Sequence, residues 1–270
     1  MPLLWLRIAV IFYGVGLVYS FFGLSRKSDL LTRLVIPATA LGALLHFVSL
    51  VETTLEYGHI APTTIHHSES LLAFLCMALF LAVWAKYRTT AFGVFVFPLV
   101  FLLTFAASVG QQPPEFTSQL LRKGWIVAHV ALIFAGYAAL FLSFAASIVY
   151  LLQERGLKSK SSGTISRLPA LEVIDQIGYR ALLLGFPFMT IGLVAGSVVA
   201  EAQFGAAFFL DPKILLSLVM WAMYMLLLFT RWNSGWRGRR AAFLSSFAFL
   251  VALVAWAANY FSGVHRFLQS

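Results

Sequence analysis

Apolar residues along this 270-residue chain come in long unbroken blocks separated by short polar connectors. Eight blocks stand out, at 3–22, 34–51, 70–85, 91–110, 125–152, 181–200, 214–230 and 241–261. Most approach the ~20 residues that a helix rising ~1.5 Å per residue needs to cross roughly 30 Å of hydrocarbon. The third block is short. The fifth is long, and it is expected to tilt or to run past the lipid until Gln153, Glu154 and Arg155 meet water. The pattern predicts an all-α fold: a polytopic integral membrane protein with about eight transmembrane helices. Arg7 lies inside the first block, Arg26 and Lys27 follow it, and no small-residue cleavage pattern closes it. It therefore reads as a mature helix rather than a secretory signal.

Composition agrees with the pattern. Only 11% of residues are charged and 61% are hydrophobic, whereas a water-facing surface draws about a quarter or more of its residues from the charged set. The net charge of +9 would suggest nucleic acid if it were gathered on one face, but the basic residues fall in alternate connectors. Arg26, Lys27, Arg33, Lys86, Arg88, Arg155, Lys158, Lys160, Arg167, Arg180, Arg231, Arg237, Arg239 and Arg240 make up 14 of the 19 and fall on one side of an eight-crossing topology. The positive-inside rule assigns that side to the cytoplasm and both termini to the extracytoplasmic side. The longest polar interval, 153–180, is then cytoplasmic. It is expected to hold a flexible turn and a short amphipathic helix, with Leu171, Ile174, Ile177 and Gly178 toward the membrane surface. Gly14, Gly16, Gly42, Gly136, Gly185, Gly192 and Gly196 lie within crossings, where a missing side chain permits close helix approach.

Candidate chemistry centres on histidine. His59, His66 and His67 fall in the second connector, His46 just inside the second crossing, His129 one turn into the fifth, and His265 after the eighth. All six belong to the outer third of the expected topology, where neutral imidazoles could converge on a metal or haem iron or serve simply as interfacial polar groups. His46 reads equally as a hydrogen-bonded structural residue or as a ligand contact, because an ionisable group inside an apolar helix is normally turned toward a partner. The single cysteine, Cys76, excludes an intramolecular disulfide and a multi-cysteine metal centre. No H-E-x-x-H spacing, phosphate loop, dinucleotide glycine pattern or nucleophile elbow is present, which argues against zinc hydrolysis, nucleotide chemistry and serine catalysis.

Two connectors carry aromatic residues. E-A-Q-F-G-A-A-F-F-L-D-P-K, residues 201–213, offers Phe204, Phe208 and Phe209 for packing on a flat apolar ligand or on helix tops, and Asp211 before Pro212 is placed to cap the seventh helix. R-W-N-S-G-W-R-G-R-R, residues 231–240, joins two indoles to four guanidinium groups and suits anchoring beside anionic headgroups.

From residue 124 onward the motifs fall in a recognisable order. G-W-I-V-A-H-V-A-L-I-F-A-G-Y-A-A-L at 124–140, L-L-Q-E-R at 151–155, R-L-P-A-L-E at 167–172, G-F-P at 185–187, D-P-K at 211–213, G-W-R-G-R-R-A-A at 235–242 and S-G-V-H at 262–265 closely resemble the cytochrome c assembly family of haem-handling membrane proteins. The resemblance splits one continuous membrane domain into a weakly matching region, 1–123, and a closely matching one, 124–270. It implies that an outer aromatic loop holds one face of haem while a histidine before it and one after it approach the iron axially. On that reading His129 and His265 are the metal ligands. Phe204, Phe208, Phe209 and Asp211 belong to the haem-binding loop, and His46 is the candidate for haem contact within the membrane.

This chain departs from the family at the loop. Where the family reads W-G-x-Y-W-x-W-D-P-K-E, it has F-G-A-A-F-F-L-D-P-K-I, keeping Gly205, Asp211, Pro212 and Lys213 but none of the tryptophans. Phenylalanine can stack on a porphyrin but lacks the indole N–H. That pattern is similar to the shorter, accessory branch of the family, some of whose members are associated with control of haem synthesis. The resemblance implies haem binding and delivery on the extracytoplasmic side of a bacterial plasma (inner) membrane in c-type cytochrome biogenesis, with haem held transiently and without self-sufficient lyase activity. Implied partners are cytochrome c assembly proteins or apocytochrome c, a tetrapyrrole-synthesis enzyme and membrane lipid, and not nucleic acid. A scaffold that regulates haem synthesis or cytochrome assembly without binding haem is the alternative. Transport ranks below both, because few polar residues fall at mid-membrane.

Overall fold

The computed structural model describes residues 2–22, 29–57, 65–110, 124–159, 168–205 and 210–258, and all the regular structure in them is helical. The helices are α1 Pro2–Phe22, α2 Asp29–Tyr57, α3 Ile65–Tyr87, α4 Gly93–Val109, α5 Gly124–Lys158, α6 Leu171–Phe204, α7 Pro212–Asn233 and α8 Arg239–Ala257. Seven of them are long and apolar enough to span a bilayer, and α4, at 17 residues, falls just short of that length. The protein is an all-α, polytopic membrane protein. Its exposed side chains fit that solvent: Ile11, Leu44, Phe47, Leu102, Ile191, Val194, Val198, Phe229 and Phe247 all lie at the surface of their helices.

Two element boundaries differ from the sequence pattern. His66 and His67 were expected in a connector but lie in the first turn of α3, which runs to 23 residues and is not short. Its polar opening, I-H-H-S-E-S, conceals a helical start that the His66–Glu69 pair at 3.2 Å supports across one turn. The amphipathic segment beginning at Leu171 is not a separate surface helix. It forms the first turns of the 34-residue α6, and Ile174, Ile177 and Gly178 are buried against protein instead of lying on the membrane surface. At α5 the expected overrun is real: its 35 residues extend about 52 Å at ~1.5 Å per residue, well beyond the hydrocarbon.

The chain divides into two compact units, one of residues 1–116 with 153–170 and the other of residues 117–152 with 171–270. In the first unit α1 packs on α2 and α4, and α3 packs on α4 and α2. Phe80, Phe92 and Phe97 are fully buried there, with Phe80 and Phe97 meeting edge to face at 4.8 Å. In the second, Leu140 of α5, Leu182 and Met189 of α6, Met220, Tyr224 and Leu227 of α7, and Ala248, Phe249 and Ala252 of α8 share one core. Small residues let those helices close. At Gly136 a Cβ would stand 3.1 Å from the backbone nitrogen of Met189, so α5 and α6 approach at a distance that a larger side chain would oppose.

Candidate functional site

His129 lies about 8 Å along α5 from its first residue. Its Nδ1 is 2.6 Å from the carbonyl oxygen of Gly192 on α6. A carbonyl only accepts, so Nδ1 carries the proton and donates it, and the neutral ring keeps its lone pair on Nε2. Among the described residues Nε2 has no hydrogen-bond partner. The ring fits because α6 has glycine one turn further on: a Cβ at Gly196 would come 2.5 Å from the His129 ring. Gly196 leaves room for the imidazole, while Gly192, four residues earlier, leaves room for Ile133 of α5 and offers its carbonyl to the ring. The spacing G-L-V-A-G at 192–196 was the sequence signal for this contact, although it could not name the residue that fills the slot.

The same end of the second unit carries the start of α7. Asp211 caps that helix as its sequence suggests: Oδ1 accepts from the Lys213 amide at 2.9 Å, and Pro212 occupies the first turn where no N–H is required. Lys213, in the first turn of α7, is half-buried. Because α6 ends at Phe204 and α7 begins at Pro212, the D-P-K motif lies at the same end of the unit as the stretch of α6 that His129 meets, about 80 residues from His129 in sequence. Phe204 is the last residue of α6. Phe208, Phe209 and His265 lie outside the described residues, as does His59.

His46 belongs to the first unit and is differently equipped. It is fully buried, with Nδ1 3.3 Å from the Tyr13 hydroxyl and Nε2 2.8 Å from the Ser70 hydroxyl. Tyr13 and Phe74 pack edge-on against the ring. Both nitrogens are thus engaged, as expected of a histidine that joins α1, α2 and α3. Nothing local in sequence marks Tyr13 or Ser70 as its partners. Among the described residues no three His, Cys, Asp or Glu side chains gather into a metal-binding group, and Cys76 is buried in α3. A ring with Nδ1 committed to a carbonyl and Nε2 unengaged has the form in which histidine coordinates iron, so His129 fits a haem ligand. His46 has no such nitrogen to offer.

The opposite end of the second unit is built around Asp175 of α6. Its carboxylate takes a forked ion pair from Arg231, at 2.7 and 3.2 Å, and a further bond from the Gly238 amide at 3.2 Å. Arg231 also stacks over the Tyr179 ring at 4.4 Å, and Trp232 donates to the Tyr179 hydroxyl at 2.7 Å. The turn requires glycine at Gly238, where φ is +62° and a Cβ would meet the Tyr150 hydroxyl. Ser143, Ser147, Ser245 and Tyr150 border a cavity of about 20 Å³ beside this ion pair, large enough for one water. The basic connector is thereby a fixed turn clasped to α6.

Residues 64–265 match the family described as Cytochrome C assembly protein, about three quarters of the chain. The chain belongs to that family. The match begins at α3, well upstream of the motif run that starts at Gly124. Curated relatives extend further still. The chain is 29% identical to the cytochrome c biogenesis protein CcsA of Heterosigma akashiwo, over 72% of each chain. It is 28% identical to CcsA of Parasynechococcus marenigrum, over 90% of this chain and 87% of that one, and 27% identical to CcsA of Pyropia yezoensis, over 96% and 92%.

Proposed function

We propose that this protein handles haem for c-type cytochrome biogenesis, receiving and presenting it at the end of the second unit where α5 and α7 begin. The observation that carries the reading is His129: a neutral imidazole held by Gly192 and Gly196, with Nε2 unengaged among the described residues and the D-P-K motif at the same end of the unit. His129 and His265 would supply iron ligands, and Phe204, Phe208 and Phe209 a stacking surface. His46 serves first as the joint between α1, α2 and α3, and contact with haem would require it to give up Ser70 or Tyr13. Bound haem supplies redox-active iron and two vinyl groups. The chain's own residues bind and orient it, and the thiols for covalent attachment come from an apocytochrome, since Cys76 is buried.

The tryptophan-free loop supports placing the chain on the accessory side of the family. The 14-to-5 division of basic residues supports a bacterial inner-membrane topology with the haem end and both termini extracytoplasmic. Protein purified with haem in mild detergent should show a Soret band that weakens strongly in His129→Ala and disappears when His265→Ala is added. Unchanged spectra and haem stoichiometry in the double variant would overturn the ligand assignment.

A second reading draws on the clasped turn at 231–240, a rigid basic surface suited to a partner. In it the protein is a scaffold for a tetrapyrrole-synthesis enzyme or a cytochrome assembly protein. Absence of haem at every stage of purification, with partner capture lost in Arg237→Ala/Arg240→Ala, would favour that alternative.

A further inference from the structure

The turn between α7 and α8 is held at the bilayer surface by the helices it joins. Both are long and apolar enough to span, and only the five residues 234–238 separate them, so the turn falls where hydrocarbon gives way to headgroups. Its backbone is fixed: the Ser234 and Trp236 amides donate to the Thr230 carbonyl at 3.1 and 3.2 Å, and the Gly238 amide donates to Asp175 at 3.2 Å. The Arg231 charge is matched by the Asp175 carboxylate. Arg237, Arg239 and Arg240 are exposed, and residues 231–240 contain no acid to balance them. Two of these cations lie over aromatic rings, Arg239 5.5 Å from the Phe243 centroid and Arg240 6.0 Å from that of Trp236. Arg239, Phe243 and Phe247 follow one another at four-residue steps along α8, and all three are exposed. That face therefore runs from a guanidinium at the surface to rings that lie against acyl chains. It matches an amphiphile with an anionic head and apolar tails. A soluble acidic partner would account for the cations alone.

We infer that the α7–α8 turn is a binding site for one anionic phospholipid, whose phosphodiester is taken by Arg239 and Arg240 while an acyl chain lies along Phe243 and Phe247. Arg237 adds a third positive charge to the same short turn. The site differs from diffuse attraction to a charged surface because the backbone that carries the arginines is already fixed by Thr230 and Asp175, so little ordering is lost on binding. Arginine suits the task, since its planar fork can bond two phosphate oxygens at once. The inference does not depend on the haem reading: it concerns the other end of the second unit and a different ligand.

The test titrates full-length protein in detergent with dioleoylphosphatidylglycerol and separately with dioleoylphosphatidylcholine, counting bound lipids by native mass spectrometry. Wild type should take up its first phosphatidylglycerol roughly tenfold or more tightly than phosphatidylcholine, the scale expected of two or three cations at a membrane surface. Arg239→Gln/Arg240→Gln should lose most of that preference. Cations in the first turn of a helix oppose its macrodipole, so removing them does not weaken α8. Arg155→Gln/Lys158→Gln removes the same charge from exposed positions at the end of α5 and should keep the preference. Equal affinity of the wild type for the two lipids would overturn the inference without any variant, and would leave the turn to the protein partner of the second reading. Equal loss in both double variants would overturn it as well, as the mark of net charge alone. Glycerol phosphate, a headgroup without acyl chains, should not compete; displacement of phosphatidylglycerol by an equal concentration of it would make the turn a site for free anions and overturn the lipid assignment.

Discussion

At the scale of single residues, His46 and His129 show how two histidines inside apolar helices part ways. His46 bonds through both nitrogens to Tyr13 and Ser70, whereas His129 donates one proton to Gly192 and keeps the other nitrogen unengaged. Replacing His46 with Phe keeps the ring volume but removes two interhelical bonds, each about 0.6–1.7 kcal/mol in a membrane protein. His46→Phe should therefore lower the unfolding free energy in micelles by about 1–3 kcal/mol. An unchanged denaturation curve would show that the buried network contributes nothing. At Asp211 the capping bond predicts a loss of about 1 kcal/mol for Asp211→Ala, largely restored by Asp211→Ser, read from the thermal midpoint of the protein without haem. Gly196→Ala pushes a methyl group into the His129 ring, so the ring must leave its slot. The Soret band of the haem complex should then shift or weaken, and a spectrum identical to wild type would show that the slot does not position the imidazole.

At the scale of elements, the apolar blocks located every helix, and errors fell where polar residues continue a helix beyond the bilayer. The opening of α3 and the first turns of α6 are helical although they are not uniformly apolar, because helix formation needs only backbone bonding and a packed face. The Asp175–Arg231 clasp ties the last turn of α7 to the start of α6. Its side chains keep 18% and 10% of their exposure, so breaking it should cost roughly 2–3 kcal/mol, below the 3–5 of a fully buried pair. Asp175→Leu or Arg231→Leu alone should destabilise by that amount, and the double variant by less than the sum, since no lone charge remains. Additive losses in a denaturation cycle would count against a coupled pair.

For the whole molecule, the exposed apolar side chains of α1, α2, α4, α6, α7 and α8 require lipid around the helices, and the charge division is the basis of the orientation proposed above. Orientation is tested with Ser234→Cys in a Cys76→Ala background. A membrane-impermeant maleimide should label it only after the cells are opened, because the 231–240 turn is assigned to the cytoplasm. Labelling of intact cells would invert the topology.

How far the candidate site was legible follows from its distances along the chain. Helix number, membrane class and the Asp211 cap were readable because each depends on neighbours within a turn or on the apolar content of a window. His129 was singled out by motif and by its place in an apolar helix. Its bond to Gly192 spans 63 residues, the His46 bonds span 33 and 24, and the Arg231 clasp spans 56. No local periodicity encodes such pairs. They form only when helix packing brings two faces together, and it is that packing, through glycine-lined contacts and buried polar partners, that engages both nitrogens of His46 and leaves one on His129 without a partner among the described residues.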